Sequence, residues 1–549
     1  MTMSQSFSTF LRRMVIVYAV ASVPYAYAAW ATPIDKVFMG LMTDVPDHAQ
    51  YWAWVTASED GLFIANTLTP EPNPPVFINA WMFLLAQLRR YLGFSFPVLF
   101  QLWRLAATAL LVGALGAFAR TVATGRRLQS LVFWLALLGS GFGWVLVVIK
   151  KLAGLEDVPF PNDIYLFETN TSWAVFSYPY VALAQGLIVW TFVGVLWSQG
   201  SSRRLGTVVA VLAAFGVAAF HAYDLITVYA VLSVLAATET IRQRSLPWHL
   251  IALTTVIGLA TAPVAIYYRL LTVNDPLWQA ILSQYENAGI FTPRGLHLVV
   301  LLGLPLLLAP FGLTTFNSES LPPLIVVWAV VGGIVAFLPT VYQVKLLTGW
   351  QFPLALLAAR AWMRWRPKWL TRAASLHAGT DRSLIAWSAL LVVLCVPTNL
   401  YLFAWRFVDL GRHERPYFLE RDELTALGWL ATHATSTDVV LAPLDVGQFV
   451  PSYGRSRAYL AHWAMTNRFF ERSAFVERFF DPQSEAAVRR RILDSDQVTL
   501  VLATRTEPLG SGREAPPSWL TSVFTAGHVC VFRYHPAGPG DSLSKVSAP

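Results

Sequence analysis

The sequence predicts an α-helical polytopic membrane protein of about eleven transmembrane helices with a small α/β exterior C-terminal domain. Three observations carry that fold class. Of 549 residues, 55% are hydrophobic and 13% charged, against roughly 25% charged in soluble domains. Mean hydropathy is +0.50 with 22 Trp and 34 Phe, so apolar side chains must face lipid as well as a core. Beyond Arg406 the composition turns to that of a soluble domain. The net charge of +8 does not mark a nucleic-acid binder, because no basic patch interleaves with stacking aromatics. The two cysteines, Cys395 and Cys530, have neither metal-site nor disulfide-framework spacing.

A span needs about 20 apolar residues. Segments 14–32, 96–119, 129–149, 177–197, 206–220, 223–237, 249–268, 298–316, 321–339, 346–363 and 384–405 qualify or come close. The first could be a cleaved signal peptide, but the run is long and lacks a clean cleavage site, so it reads as a retained signal anchor. Lys and Arg concentrate in alternate short connections, at Arg12, Arg13, Arg120, Arg126, Arg127, Arg203, Arg204, Arg242, Arg244, Arg364, Arg366, Lys368, Arg372 and Arg382. The positive-inside rule then makes the N-terminus cytoplasmic and puts every long polar insertion and the C-terminal domain outside. Location in the cytoplasmic (inner) membrane follows.

The expected domains are 1–405, membrane-embedded with an exterior loop 33–97; 406–535, the soluble α/β domain; and 536–549, a Gly/Pro/Ser tail expected to be disordered. In the exterior loop, 49–68 and 76–92 read as helices with aromatic faces (Tyr51, Trp52, Trp54; Phe77, Trp81, Phe83) lying in the membrane interface. Between them 69–75 is too rich in proline to be helical. Further on, 422–433, 468–480 and 484–493 read as helices, and 439–442, 498–503 and 529–534 as strands.

The richest polar site follows the first span: Asp44-Val45-Pro46-Asp47-His48. Two carboxylates and a histidine at a membrane mouth can activate a hydroxyl or hold a divalent cation, while either Asp can equally be a helix cap. Asp47 is favoured as the base, since it opens the aromatic helix, whereas Asp44, ahead of Pro46, is expected in an extended segment. Glu59, Asp60 and Glu71 in the first loop, Asp163 and Glu168, His221 and Asp224 in the turn HAYD, and Gln343 and Lys345 in TVYQVK all return to that side. Arg104 sits about 12 Å inside the second helix; an ionisable residue there is functional or paired, the alternative being a side chain that snorkels outward.

These residues carry a resemblance. A first span, an acid-bearing exterior loop, many further spans and a small exterior C-terminal domain resemble the C-type (GT-C) membrane glycosyltransferases, which include protein O-mannosyltransferases and aminoarabinose transferases. The string DHAQYWAW is similar to their acidic first-loop site and TPEPNPPVFIN to the passage after it. PNDIYLFETN, FHAYD, YQVKLLTGWQFPLALLAA and GRSRAYLAHWAMTNRFF are similar to later stations in bacterial members. The adjacent Asp-Glu pair of the mannosyltransferases is absent. The resemblance implies inverting transfer of a sugar from a polyprenyl-phosphate donor to a glycan, lipid or protein acceptor on the outer face. An Asp would deprotonate the acceptor, and Arg104, His221 and Lys345 would stabilise the leaving phosphate. His48, Glu71, Asp163, Glu168, Asp224 and Gln343 are the further polar candidates. Two other classes remain: a lipid or solute transporter, which would place ionisable groups at the midplane of repeated halves, and a non-catalytic membrane scaffold.

Overall fold

The computed structural model describes residues 3–284, 291–313, 321–367 and 380–536. The end of the 298–316 span, the loop residues Lys368 and Arg372, and the tail beyond 536 lie outside the described residues. Two compact units emerge: Met1–Ala26, Phe100–Arg269 and Ala288–Val408 make the first, and Tyr27–Leu99, Leu270–Asn287 and Asp409–Pro549 the second. The loop 33–97, expected to belong with the membrane domain, therefore packs with the C-terminal segment.

The first unit is helical. Among the described residues six helices are long and apolar enough to cross a membrane: Phe7–Ala31, Phe96–Val122, Pro179–Ser198, Arg203–Phe220, Ala222–Gln243 and Trp248–Asn274. Two bent pairs, Arg126–Leu138 with Gly143–Leu152 (44°) and Ser383–Cys395 with Pro397–Gly411 (57°), bring the number to eight. All eleven expected segments contain helix, but Leu296–Gly312, Pro323–Val335 and Gln351–Arg364 are shorter than a span. Pro179–Ser198 and Arg203–Phe220 pack closely because Gly206 has no side chain; a Cβ there would lie 2.2 Å from the Ser198 backbone nitrogen.

Both bends arise from residues that cannot continue a helix: Gly139-Ser140-Gly141 in one, Pro397 in the other. The backbone groups released at each bend satisfy the other. Ser140 donates to the Cys395 carbonyl from its nitrogen (2.8 Å) and its hydroxyl (2.6 Å), and the Thr398 hydroxyl lies 2.9 Å from the Gly141 carbonyl. In an apolar setting every such group needs a partner, so the bends are fixed features.

The second unit is built on a mixed five-stranded sheet. The strands of this unit are β1 (Lys36–Phe38), β2 (Phe63–Ile64), β3 (Phe77–Ile78), β4 (Phe418–Glu420), β5 (Val439–Leu441), β6 (Arg457–Ala458), β7 (Leu500–Ala503), β8 (Leu520–Ala526) and β9 (Val529–Tyr534). The order in the large sheet is β6-β5-β7-β9-β8, with β5 parallel to β6 and β7, and β9 antiparallel to β7 and β8. Helices Phe469–Phe480 and Ala486–Ser495 contribute Val476, Phe479, Ile492 and Leu493 to a core with Val439, Leu441, Val501 and Phe532. Strand β8 and the short β6 were not anticipated; β8, LTSVFTA, has neither a long apolar run nor a regular alternation.

The 33–97 loop is tied into this unit by backbone pairing. Strand β1 pairs antiparallel with β4, Lys36 opposite Glu420, and β2 pairs with β3. The expected helix 49–68 is Val45–Ala57, and it is buried on nearly all sides, not interfacial. Its Thr56 hydroxyl donates to the Ser452 carbonyl (2.5 Å), and the Ser452 hydroxyl donates to the Ala49 carbonyl (3.0 Å). Trp52 stacks on Phe96 at 4.9 Å, and Trp54 meets Phe77 at 4.8 Å. The aromatic face that suggested a lipid interface thus fills a protein core, where rings of 150–250 Å² bury most effectively.

Candidate functional site

In the second unit the acidic string is organised by the start of the Val45–Ala57 helix. Asp44 takes a left-handed backbone (φ 44°, ψ 49°) at the N-cap position, and its side chain makes no capping bond. The extended geometry expected for it is not found. Its carbonyl accepts instead from His48, through the backbone nitrogen (3.3 Å) and Nδ1 (2.8 Å), and a left-handed turn brings that carbonyl round; Asp tolerates it better than most residues. His48, 1% exposed, closes this turn from within the core.

Asp47 falls in the first helical turn, where the helix dipole favours a negative charge. Its Oδ1 lies 2.9 Å from His462 Nε2. The His462 Nδ1 accepts from the Ala464 nitrogen at 3.1 Å, so Nε2 carries the hydrogen and donates to Asp47. The turn that presents His462 is pinned: the Ala461 and His462 nitrogens both donate to the Thr466 hydroxyl (3.1 Å each), which donates to the Leu68 carbonyl (2.6 Å). The Asp47 side chain is 24% exposed and that of His462 3%. The result is a reachable carboxylate held by a buried, tautomer-fixed imidazole. His462 was not singled out in the sequence; its only signal was the string AHWAMTN.

Glu71, a polar-site candidate, has a different setting. It accepts from Asn467 Nδ2 (2.9 Å), from Arg472 Nη2 (2.7 Å) and from the Thr69 hydroxyl. Arg472 is 2% exposed and also reaches Asp496 at 3.1 Å. Glu71 therefore anchors the proline-rich loop. Glu59 pairs with Arg89, and Asp60 with Arg455, at the surface.

In the first unit the structure gathers four of the expected residues. Lys345 Nζ donates to Glu168 Oε1 at 2.8 Å, with the Lys345 side chain 29% and that of Glu168 3% exposed. Gln185 and Gln351 each hold the Glu168 carbonyl at 3.2 Å, which fixes the loop bearing it. His221 Nδ1 lies 2.9 Å from Asp224 Oδ2, both buried. Glu168 and Lys345 are within electrostatic range of Asp224. Tyr180 and Tyr223 flank the His221 ring at 5.7 and 5.6 Å, and Tyr223 meets Tyr342 at 4.6 Å. These tyrosines were also missed, being indistinguishable in sequence from span-end aromatics.

Three expected residues stand apart from that cluster. Arg104 does not snorkel. It is 0% exposed, with Nη2 donating to the Ala21 carbonyl (3.0 Å), Nη1 donating to Gln101, and the guanidinium 4.2 Å from the Tyr25 ring. A donor phosphate does not reach it in this arrangement, because the first helix already covers it. Gln343 accepts from the Thr292 nitrogen (3.0 Å) and donates to the Leu338 carbonyl (2.9 Å). Asp163 accepts from the Gly143 nitrogen (2.7 Å) and lies 3.1 Å from the Thr398 hydroxyl, bracing the two bends. Burial pushes its carboxyl up to about 7 against those two bonds. A Cβ on Gly143 would fall 1.8 Å from Asp163 Oδ1, so only glycine fits there. Among the described residues no group of three His, Cys, Asp or Glu side chains converges to hold a metal ion.

No protein-family model matches the sequence, and no curated protein does. The chain is similar to ArnT from Cupriavidus metallidurans, solved bound to undecaprenyl phosphate: 16% identity over 94% of this chain and 97% of that one, TM-score 0.48. It is also similar to the apo oligosaccharyltransferase from Archaeoglobus fulgidus (12% identity, 91% of this chain and 70% of that one, TM-score 0.46). A third similar structure is the oligosaccharyltransferase AglB of that organism in complex with an inhibitory peptide and a dolichol-phosphate (11% identity, 89% and 69%, TM-score 0.46).

Proposed function

We propose that this chain is a membrane glycosyltransferase that moves a sugar, with inversion, from a polyprenyl-phosphate donor to an acceptor hydroxyl on the outer face of the cytoplasmic membrane, with Asp47 as the base. The observation that carries the proposal is the 2.9 Å contact from His462 Nε2 to the partly exposed Asp47 carboxylate. A base needs its carboxylate ionised and aimed, and one fixed N–H donor supplies both. The acceptor O–H gives its proton to Asp47, its oxygen forms a bond to the anomeric carbon, and the bond from that carbon to the phosphate oxygen breaks. The electron pair leaves with the polyprenyl phosphate.

For the phosphate we assign Lys345 and His221. Lys345 is the more exposed member of its ion pair, its side chain 29% exposed against 3% for that of Glu168. His221 gives Nδ1–H to Asp224, which leaves Nε2, when protonated, to donate to a phosphate oxygen. Both act as charge-assisted donors. Arg104 has a positioning role here, locking the first helix to the second. Asp44 shapes the turn through its carbonyl and its left-handed backbone.

The test is turnover with a panel of polyprenyl-phosphate sugars. Asp47→Asn keeps shape but cannot take a proton, and should slow transfer by about 10²–10⁴-fold, whereas Asp44→Asn should stay within about tenfold. If neither substitution slows a transfer that the parent chain performs, Asp47 is structural and the mechanism is wrong.

A further inference from the structure

A second site lies within the first unit, at the helix ends joined to the arginine-rich connections. A groove of about 630 Å³ runs between the first helix and Phe96–Val122, walled by Phe10, Leu110, Gly113 and Trp190 and ending at Arg13 and Arg120. No acidic residue lines it. Among the described residues neither arginine has a carboxylate partner, although the two are close enough to repel each other and Arg12 adds to that repulsion. Like charges held together at the mouth of an apolar slot are unfavourable unless an anion joins them.

The Arg13 guanidinium lies over the Phe133 ring, 4.0 Å from its centroid, which occupies its face and leaves its in-plane N–H groups for an oxygen pair. The Arg120 side chain folds back along its own helix, with Nη1 3.4 Å from where a Cβ on Gly116 would be. The slot is apolar beyond the two charges: a Cβ on Gly113 would meet only Trp190 (3.6 Å) and Phe10 (3.7 Å).

We propose that this groove holds an anionic glycerophospholipid of the surrounding membrane, its phosphate on Arg13 and Arg120 and an acyl chain along Leu110, Gly113 and Trp190. Charge complementarity selects an anionic over a zwitterionic headgroup. The donor lipid is a poorer occupant, because Tyr180 at the start of Pro179–Ser198 flanks His221, whereas Trp190, which walls the groove, lies about 15 Å further along the same helix. The groove therefore belongs to the helix ends away from the His221 and Lys345 cluster. The inference does not depend on the glycosyltransferase reading.

The experiment is native mass spectrometry of the purified full chain in detergent, with added phosphatidylglycerol, phosphatidylcholine or undecaprenyl phosphate. The parent chain should retain phosphatidylglycerol over phosphatidylcholine by about tenfold or more. Arg13→Gln with Arg120→Gln should bring the ratio to within about twofold. Gly113→Leu, which fills the slot while keeping both charges, should lower phosphatidylglycerol occupancy in a chain that still elutes as a single species. Equal retention of the two phospholipids by the parent, an unchanged preference in both variants, or displacement of phosphatidylglycerol by an equal amount of undecaprenyl phosphate would each overturn the proposal.

Discussion

Replacing His462 by Leu isolates the contact on which the proposed chemistry rests. His462 is 2% exposed and gives Asp47 one hydrogen bond of 2.9 Å. A hydrogen bond to a charged group contributes about 1.5–3 kcal/mol, which at 1.4 kcal/mol per decade corresponds to a fall in kcat/KM of about 10- to 150-fold. That is less than the loss expected for Asp47→Asn, because the carboxylate remains and only its aim and ionisation suffer. The acid limb of the kcat/KM profile should move to higher pH, since a carboxylate that loses a donor holds its proton more tightly. A merely structural histidine would not move it. Gln at position 462 retains an N–H near the Nε2 position and should recover part of the loss. In the double variant with Asp47→Asn the histidine change should add almost nothing, as expected for residues that act as one unit. Turnover with a polyprenyl-phosphate sugar, alongside thermal unfolding of each variant, makes the measurement. If the two losses multiply in the double variant while folding is intact, His462 does not act through Asp47 and the reasoning fails.

Lys345→Met should lower kcat/KM for the lipid donor by about 10- to 100-fold, with Lys345→Arg milder, because the charge that meets the phosphate is lost; unchanged kcat/KM for every donor turned over would remove Lys345 from the site. Arg472→Met strands Glu71 and Asp496, whose side chains are 31% and 18% exposed. A fully buried broken pair costs about 3–5 kcal/mol, so a loss at or below about 3 kcal/mol is expected in thermal or denaturant unfolding, partly recovered by adding Glu71→Gln; no loss would mean that the pair does not anchor the loop. Asp163 gives a pH dependence: its carboxyl, raised by burial from 3.8 to about 7, binds a proton in the folded state that the unfolded chain has already released. Its contribution is fully present below about pH 4 and declines as pH rises through 7, by up to about 4 kcal/mol for roughly three units. Asp163→Asn should flatten that slope between pH 4 and 7, and a slope that persists unchanged would refer it to other groups.

The acidic loop shows where sequence reasoning carries and where it stops. Asp47 was singled out because a carboxylate beside a membrane helix is chemically conspicuous, and its place in the first turn of a helix follows from local signals. Its partner was not visible, because His462 is 415 positions away and a lone histidine among aromatics has no local signature. Glu168, His221, Asp224 and Lys345 were collected by sidedness alone, since alternation of spans returns every second loop to one side. Sidedness does not say which residues touch. It equally collected Glu71, Asp163 and Gln343, whose hydrogen bonds hold loops and bends together.

Burial is the second divide. Arg104 was conspicuous for its depth, but whether a deep arginine meets a ligand or a neighbouring helix depends on what covers it, here Ala21, Gln101 and Tyr25. The aromatic face of Val45–Ala57 has the pattern of an interfacial helix, and amphipathicity cannot distinguish lipid from a protein core, as both are apolar. The sequence by itself determined the class of the molecule, because hydropathy over about 20 residues and the positions of glycine and proline act locally. The tertiary structure alone decided that the 33–97 loop packs with the C-terminal sheet, that two spans bend where their backbones can satisfy each other, and that Asp47 meets a histidine, because each of these depends on which distant surfaces lose water together.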